Sequence, residues 1–356
     1  MSVAARVKLR QMAPARATSS DIQAIDDLLA QGNLVHGRRL SGGEVWDRRR
    51  RRPNPDEVQR QTPRRVIRSQ IEIVRIPGWS TLPWLIHGFS TRTGGSTKAY
   101  RPMQRSGELN LGFTAADTRE NVIENRRRFL HAIGAGSDAQ LTVLRQVHSC
   151  LVRRVGQADA GRVDLWKGDG LMTDEPGLLL GIQTADCIPV LIIDLKRRAV
   201  AAFHAGWRGT LKRIVENGIG RMRLEFRSRP EDLVAAIGPG IGACCYAVGE
   251  EVRSEFVSQF AYADELFREV SDSDPVREKY PLLFLTQRAP GHSDIGPQLH
   301  LDLMEANRRQ LLDAGLRTEA IATVGDCTRC QNNRYFSYRA EQGFTGRLLA
   351  VAGIRS

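Results

Sequence analysis

Five short runs rich in apolar residues, Leu141–Val147, Leu178–Ile182, Ile188–Ile193, Ala199–Phe203 and Leu233–Ile237, do most to restrict what this chain can become. Runs of this length bounded by turn signals read as strands buried in a core. Helical stripes separate some of them. Val122, Ile123, Phe129, Leu130 and Ile133 follow a capping box at Asp117 and Glu120, and Leu211, Ile214, Val215, Gly218 and Met222 form a second stripe. Val248, Val252 and Phe256 make a third, and Leu303, Ala306, Gln310 and Leu311 a weaker fourth behind a cap at Asp302 and Glu305. The alternating strand Ile71–Ile76, ending at Pro77-Gly78, marks where the folded part begins. This mixture predicts an α/β or α+β domain, and periodicity alone does not choose between them. The stretch from about Asp264 to His300, rich in Asp, Pro, Gly and Ser, reads as a long surface excursion.

With 41% hydrophobic and 26% charged residues, the chain has the balance of a soluble globular protein and not of a fibrous or disordered one. No run approaches the roughly 18 apolar residues of a membrane helix. The first 30 residues hold no apolar block ending in a cleavage site, so the expected address is the cytoplasm, with no membrane partner. The net charge of +12 is unevenly spread. Residues 1–70 carry 15 Lys+Arg against 7 Asp+Glu, whereas the remaining 286 carry 37 against 33. Arg48–Arg52, followed by Pro53 and Pro55, reads as a solvated, disordered basic extension rather than a nucleic-acid arm. One short amphipathic helix, capped at Ser20-Asp21 ahead of Ile22, Ile25, Leu28 and Leu29, interrupts it. The expected organisation is thus a tail over 1–70 and a single domain over 71–356.

Six cysteines in so long a chain are too few for a disulfide scaffold, which leaves packing, metal or catalysis as their use. Three chemistry-bearing residues stand at the ends of apolar strands: His148, Cys187 and His204. Two imidazoles and one thiolate suit a zinc ion that keeps a fourth position open. Their separations are unlike a zinc finger, so spacing leaves each histidine open between ligand and hydrogen-bonded core or surface residue. Cys187 is equally readable as a small buried hydrophobe. Cys327-Thr328-Arg329-Cys330 has the spacing of half a zinc ribbon or a redox pair that Cys244-Cys245 would complete, but one such pair is insufficient and a four-cysteine site is not expected. Gly238-Pro239-Gly240-Ile241-Gly242 has the wrong spacing for a dinucleotide fingerprint and reads as a turn that brings backbone close to something, a ligand included.

Seven strings then occur in fixed order: Phe89–Gly95 (FSTRTGG), Leu109–Gly112 (LNLG), Gln146–His148 (QVH), Thr184–Val190 (TADCIPV), His204–Gly209 (HAGWRG), Gly238–Tyr246 (GPGIGACCY) and Phe336–Arg339 (FSYR). In these the chain, from roughly Leu82 to Ile354, closely resembles the YfiH-like laccase-domain family, variously called multicopper polyphenol oxidase and purine nucleoside phosphorylase. The resemblance implies an α-β-β-α sandwich and a metal site of His148, Cys187 and His204 holding Zn²⁺, with Cu²⁺ as the alternative. It also implies phosphorolysis of adenosine, inosine and methylthioadenosine, and deamination of adenosine, so that the expected partners are purine nucleosides and phosphate.

Deamination needs hydroxide at C6 of the purine and a carboxylate to carry the proton to the leaving ammonia, for which Asp186 and Asp169 are the candidates. Because Asp186 adjoins Cys187, both can face one site only at a bulge or strand end. Phosphorolysis needs an anion held beneath the anomeric carbon; Arg92 beside Gly94-Gly95, and Arg208 leading into a helix near Thr210, fit. Ser90 and Asn110 within the shared strings, and Trp207 as a purine-stacking face, complete the expected binding set. Two other classes stay open. A multicopper oxidase requires about eight further histidines, and only His36, His87, His131, His292 and His300 remain. A cysteine hydrolase or peptidoglycan-precursor editing enzyme would use Cys187 as nucleophile and His204 as base.

Overall fold

The computed structural model describes residues 71–101, 103, 106–159, 166–270 and 298–356. The expected basic extension over 1–70, the short helix expected within it, and most of the expected surface excursion lie outside the described residues. In chain order the first elements are β1 (Ile73–Val74), β2 (Leu85–Ser90), β3 (Thr93–Gly95), β4 (Gly107–Glu108), α1 (Arg119–Ala132), β5 (Gln140–Val143), β6 (Val152–Arg154), β7 (Gly170–Thr173) and β8 (Leu178–Thr184). Then come β9 (Ile188–Asp194), β10 (Ala199–Ala205), α2 (Trp207–Leu211), α3 (Ile214–Phe226), β11 (Leu233–Ile237) and α4 (Glu250–Gln259). The last are β12 (Phe267–Val270), β13 (Gln298–Leu301), α5 (Leu303–Asp313), β14 (Ile321–Thr323) and β15 (Leu348–Ile354). The two ends of the expected excursion pair as an antiparallel ribbon, with Phe267 opposite Leu301.

Two mixed sheets form the centre. One has the order β1-β2-β15-β8-β5, with the β5–β8 pair parallel, and the other β14-β11-β9-β10-β7-β6, with parallel pairs at both edges. The long apolar runs have a simple physical cause: the central strands are covered on both faces. Along β9, Leu191 and Ile193 pack with Leu180, Ile182 and Ala350 of the other sheet, while Val190 and Ile192 join a core with Ile219 and Met222 of α3. On the outer face of the five-stranded sheet, Leu179 and Val351 pack with Phe129 of α1. The layers are therefore helix, sheet, sheet, helix, the α-β-β-α sandwich that the resemblance implied. Among the described residues no helix is long and apolar enough to cross a membrane.

The stripe from Leu211 to Met222 is split between α2 and α3, Val248 precedes α4, and the Leu141–Val147 run is a strand only as far as Val143. Of the two caps read from the sequence, one holds and one shifts by a residue. Asp302 caps α5 by accepting from Glu305 N at 2.9 Å. The cap of α1 is Thr118, not Asp117, its hydroxyl accepting from Asn121 N at 3.3 Å. Asp117 is instead engaged by Thr97 Oγ1 at 2.6 Å and Asn110 Nδ2 at 2.8 Å. The glycine turn after β11 packs closely on the protein at its start, where a Cβ on Gly238 would stand 2.3 Å from the Phe89 ring, and reaches the cleft lining at Ile241.

His87 sits in the core on β2 and accepts from Ile76 N at 3.1 Å through Nε2. Burial first, then the charge of Arg75, hold its pKa down at about 4. The unfolded chain takes up this proton near pH 6.5 whereas the folded chain does not until about pH 4. Stability is therefore expected to fall as pH drops through that window, by on the order of 3 kcal/mol, and to be independent of this group above it. His87→Gln keeps an acceptor for Ile76 and removes the proton. The difference between wild-type and variant urea midpoints should shrink as pH falls from 7 to 4, and parallel curves would refute the assignment.

Candidate metal centre and cleft

The cleft opens at one end of the sandwich, where the strand ends lie. β8 belongs to one sheet and β9 to the other, so the intervening Ala185–Cys187 turn steps between layers and leaves Cys187 at the junction. Asp186 makes this step at φ 90°, the strand-end geometry that lets Asp186 and Cys187 line the same cleft. His148 follows the exit from β5 at φ 57°, and His204 is the penultimate residue of β10. The Nε2 of His148 and Sγ of Cys187 are 3.9 Å apart, and the three donor atoms of His148, Cys187 and His204 all lie within 4.8 Å of one another.

Asp169, fully buried, organises this centre from behind. Its carboxylate accepts from the backbone N–H groups of Val147, His148 and Ser149 at 3.2, 3.0 and 2.6 Å, and from Ser149 Oγ at 2.7 Å. Successive N–H groups converging on one anion form a nest, and here the left-handed turn at His148 creates it. The same carboxylate meets His204 Nδ1 at 2.9 Å, which leaves Nε2 of that ring for the cleft side. A Cβ on Gly206 would stand 3.0 Å from Cys187 Sγ and 3.1 Å from His148 Cδ2, so glycine is what lets the strand end come this close.

The electrostatics follow from these neighbours. Burial pushes the Cys187 thiol up, but His204 and His148 outweigh it and bring the thiol down to about 6. Burial likewise opposes charge on His204, yet the Cys187 thiolate and Asp169 raise it to about 9. Asp169 is held down at about 2, because bonds from His204 and Ser149 overcome its burial. One thiolate and two imidazoles at these separations match the donor set of a tetrahedral zinc, whose ligand atoms lie about 3.5 Å apart. The group is able to hold a metal ion, with the carboxylate–histidine support typical of such ligands.

The surrounding cleft has a volume of about 610 Å³. Four arginines, Arg145, Arg208, Arg339 and Arg347, line it with three aromatic residues, Trp207, Tyr246 and Tyr338. Asp186 is its carboxylate; Oδ1 accepts from Thr328 Oγ1 and Oδ2 from Arg339 N, each at 2.6 Å. The Arg208 guanidinium lies 4.2 Å above the Trp207 ring. The helix following β10 begins at Trp207, so Arg208 is inside its first turn and does not precede it.

Three residues expected to bind substrate are engaged elsewhere. Arg92 is buried and its fork is spent on Glu108 at 2.5 Å, Glu341 at 2.9 Å and the carbonyl of Asn332 at 2.6 Å. A buried guanidinium paired with two carboxylates and absent from the cleft lining is not placed to hold a phosphate there. Ser90 accepts from Leu349 N at 2.8 Å between β2 and β15. Asn110 is buried and accepts from Gly112 N at 3.2 Å and Arg347 N at 2.9 Å, so it shapes the loop that carries Arg347. Asp169 is likewise behind the ligands and not in the cleft lining. Arg145, Tyr246, Tyr338, Arg339 and Arg347 line the cleft but were given no role from the sequence; Arg347 in particular carries no local signal, because only the fold brings it beside Gln183. Of the other histidines, His87 is in the core and His300 Nδ1 bonds the carbonyl of Ala243 at 2.8 Å. Among the described residues there is no second histidine cluster of the kind a trinuclear copper centre needs.

Comparison with known proteins places this arrangement. Residues 86–355 match the family model described as "Multi-copper polyphenol oxidoreductase laccase". A purine nucleoside phosphorylase, YlmD, of Geobacillus stearothermophilus is 33% identical over 276 residues, which is 76% of this chain and 90% of the relative. A purine nucleoside phosphorylase of Deinococcus radiodurans is 36% identical over 273 residues, covering 75% and 88%. A protein from an unknown prokaryote named adenosine deaminase RL5 is 30% identical over 237 residues, covering 65% and 81%. The crystal structure of Bacillus licheniformis YfiH superposes with a TM-score of 0.65 at 28% identity, over 80% of this chain and 96% of that one. With three quarters of its length matched by the family model, and the sandwich shared with solved members, the chain belongs to the YfiH/YlmD family of laccase-like domains.

Proposed function

We propose that this chain is a zinc-dependent purine nucleoside phosphorylase that also deaminates adenosine. The observation that carries the reading is the convergence of His148, Cys187 and His204 in a cleft lined by four arginines and three aromatic rings. The names of the relatives, purine nucleoside phosphorylase and adenosine deaminase, support it. When bound, zinc supplies Lewis acidity and makes hydroxide available near neutral pH.

The protein's own residues do the rest. Trp207, Tyr246 and Tyr338 offer faces for the purine, and the arginines offer forks for an anion. In phosphorolysis a phosphate oxygen bonds the anomeric carbon as the bond to the purine nitrogen breaks, and the arginines hold that phosphate while positive charge grows on the ribose. In deamination Asp186 takes the proton from the attacking water and returns it to the departing ammonia. Its two oxygens each keep a lone pair beyond the bonds from Thr328 and Arg339. Asp169 serves as the group that fixes His204.

The test is an assay of adenosine with and without phosphate, following adenine, hypoxanthine and inosine alongside bound metal. Phosphate-dependent release of base supports the proposal, whereas a blue copper form turning over phenols overturns it. Arg208→Met is expected to raise the phosphate KM about tenfold, a loss of about 1.4 kcal/mol, and to leave deamination nearly unchanged because no phosphate takes part. Equal loss in both reactions would instead point to a general role for Arg208 in nucleoside binding.

A second reading draws on one observation. Asp169, His204 and Cys187 line up as acid, imidazole and thiolate, the order of a cysteine nucleophile with its base. Hydrolysis that persists in the chelated, metal-free enzyme would favour this cysteine hydrolase over the phosphorylase.

A further inference from the structure

We propose a second metal site outside the cleft: a structural zinc held by the four thiolates of Cys244, Cys245, Cys327 and Cys330. It does not depend on the nucleoside reading. The two cysteine pairs come from loops more than 80 residues apart, after β11 and after β14. All four sulfurs nevertheless lie within 4.8 Å of one another, and Cys330 Sγ is 3.4 Å from both Cys244 Sγ and Cys245 Sγ. A tetrahedral zinc with bonds of about 2.3 Å sets its sulfurs about 3.8 Å apart, so the cluster closes on an ion with small adjustments of rotamer.

The backbone is shaped to bring the sulfurs together. Cys245 N and Tyr246 N both donate to Gly242 O, at 2.9 and 3.1 Å, winding a tight turn that carries the adjacent cysteines toward Cys330. Gly242 N donates to Cys327 Sγ at 3.2 Å, an N–H bond to sulfur of the kind that stabilises a ligating thiolate. A Cβ at Gly242 would stand 3.2 Å from Cys327 Cβ and 3.3 Å from Cys244 Sγ, so any larger residue would crowd the cluster. Four sulfurs with no oxygen or nitrogen ligand select a soft tetrahedral ion and leave no open position, as structural zinc sites do. Binding releases the thiol protons to solvent and leaves a dianionic cluster beside the recess that Arg268 lines.

The position gives the site its role. Thr328 N donates to Gly240 O at 2.9 Å, joining the two loops next to the cluster, and Thr328 Oγ1 bonds Asp186 at 2.6 Å. Tyr246, directly after the Cys244-Cys245 pair, lines the cleft. Zinc here would staple the two loops that form one wall of the cleft.

The test is metal content and cobalt substitution in the full chain. Two zinc ions per chain are expected for the wild type and one for Cys327→Ser/Cys330→Ser. The Cys187→Ser chain, its cleft set broken, should still hold one ion and, loaded with Co²⁺, should show the intense charge-transfer absorption of a tetrathiolate. If the double variant fails to fold, the Cys187→Ser spectrum alone decides. A Co²⁺ spectrum lacking the tetrathiolate band, iron in place of zinc, or disulfides linking the four cysteines in freshly purified metal-free chain would each overturn the proposal. Loss of the cleft activity with both ions in place would count against the nucleoside reading only.

Discussion

Cys187→Ser is expected to lower kcat/KM for phosphorolysis and for deamination by about a thousandfold or more, on the order of 4 kcal/mol of transition-state stabilisation. Serine is nearly isosteric, and Cys187 is only partly buried, so the fold should survive with little change in thermal midpoint. Its hydroxyl stays protonated where the thiol ionises near pH 6, so the set of two imidazoles and a thiolate loses its one anion. Bound metal measured beside the kinetics separates the two readings of the site. Joint loss of the cleft ion and both activities supports a metal centre; loss of activity with the ion retained points to a nucleophile. Full activity in the variant would remove Cys187 from either scheme.

The second large effect is expected at a residue that does not line the cleft. Asp169→Asn replaces an oxygen that receives N–H groups by an NH₂ that cannot, while His204 loses its anionic partner. Metal affinity should fall about 10- to 100-fold, the usual result when the carboxylate behind a ligating histidine is removed. Stability should fall by about 2 kcal/mol, because the Val147–Ser149 nest loses half of its acceptor. Competition against a chelator reads the first and a urea titration the second. A structural carboxylate would move the urea midpoint alone, so unchanged metal affinity would deny Asp169 its proposed part.

That the central strands would be buried was legible in the runs themselves. Leu178–Ile182 and Ile188–Ile193 lack polar alternation because both of their faces are covered, and that is a property a sequence can carry. The α5 cap at Asp302 was readable because its bond spans three residues. The α1 cap was misread by one position, since Asp117, Thr118 and Glu120 offer overlapping signals and only the competing bonds to Thr97 and Asn110 take Asp117 away. Arg92 shows the harder limit. Beside two glycines it looks like a phosphate fork, and nothing near it in sequence reveals that Glu341 will neutralise it. Arg347 shows the converse, reaching the cleft with no motif to mark it.

The order and chemistry of the residues by themselves determined a mixed α and β domain with buried strands and the strand ends as places for reactive groups; the sandwich, and His148, Cys187 and His204 as the group to watch, came through the family resemblance. Which anions and cations face solvent, and which cancel each other in the interior, was settled only when the chain closed. Electrostatic partnership depends on distance in space, and separations such as 249 residues between Arg92 and Glu341, or 86 between Cys244 and Cys330, leave no trace in local pattern. The cysteine pairs are the clearest case: each was too weak a signal alone, and the packing of the loops after β11 and β14 is what makes them one cluster.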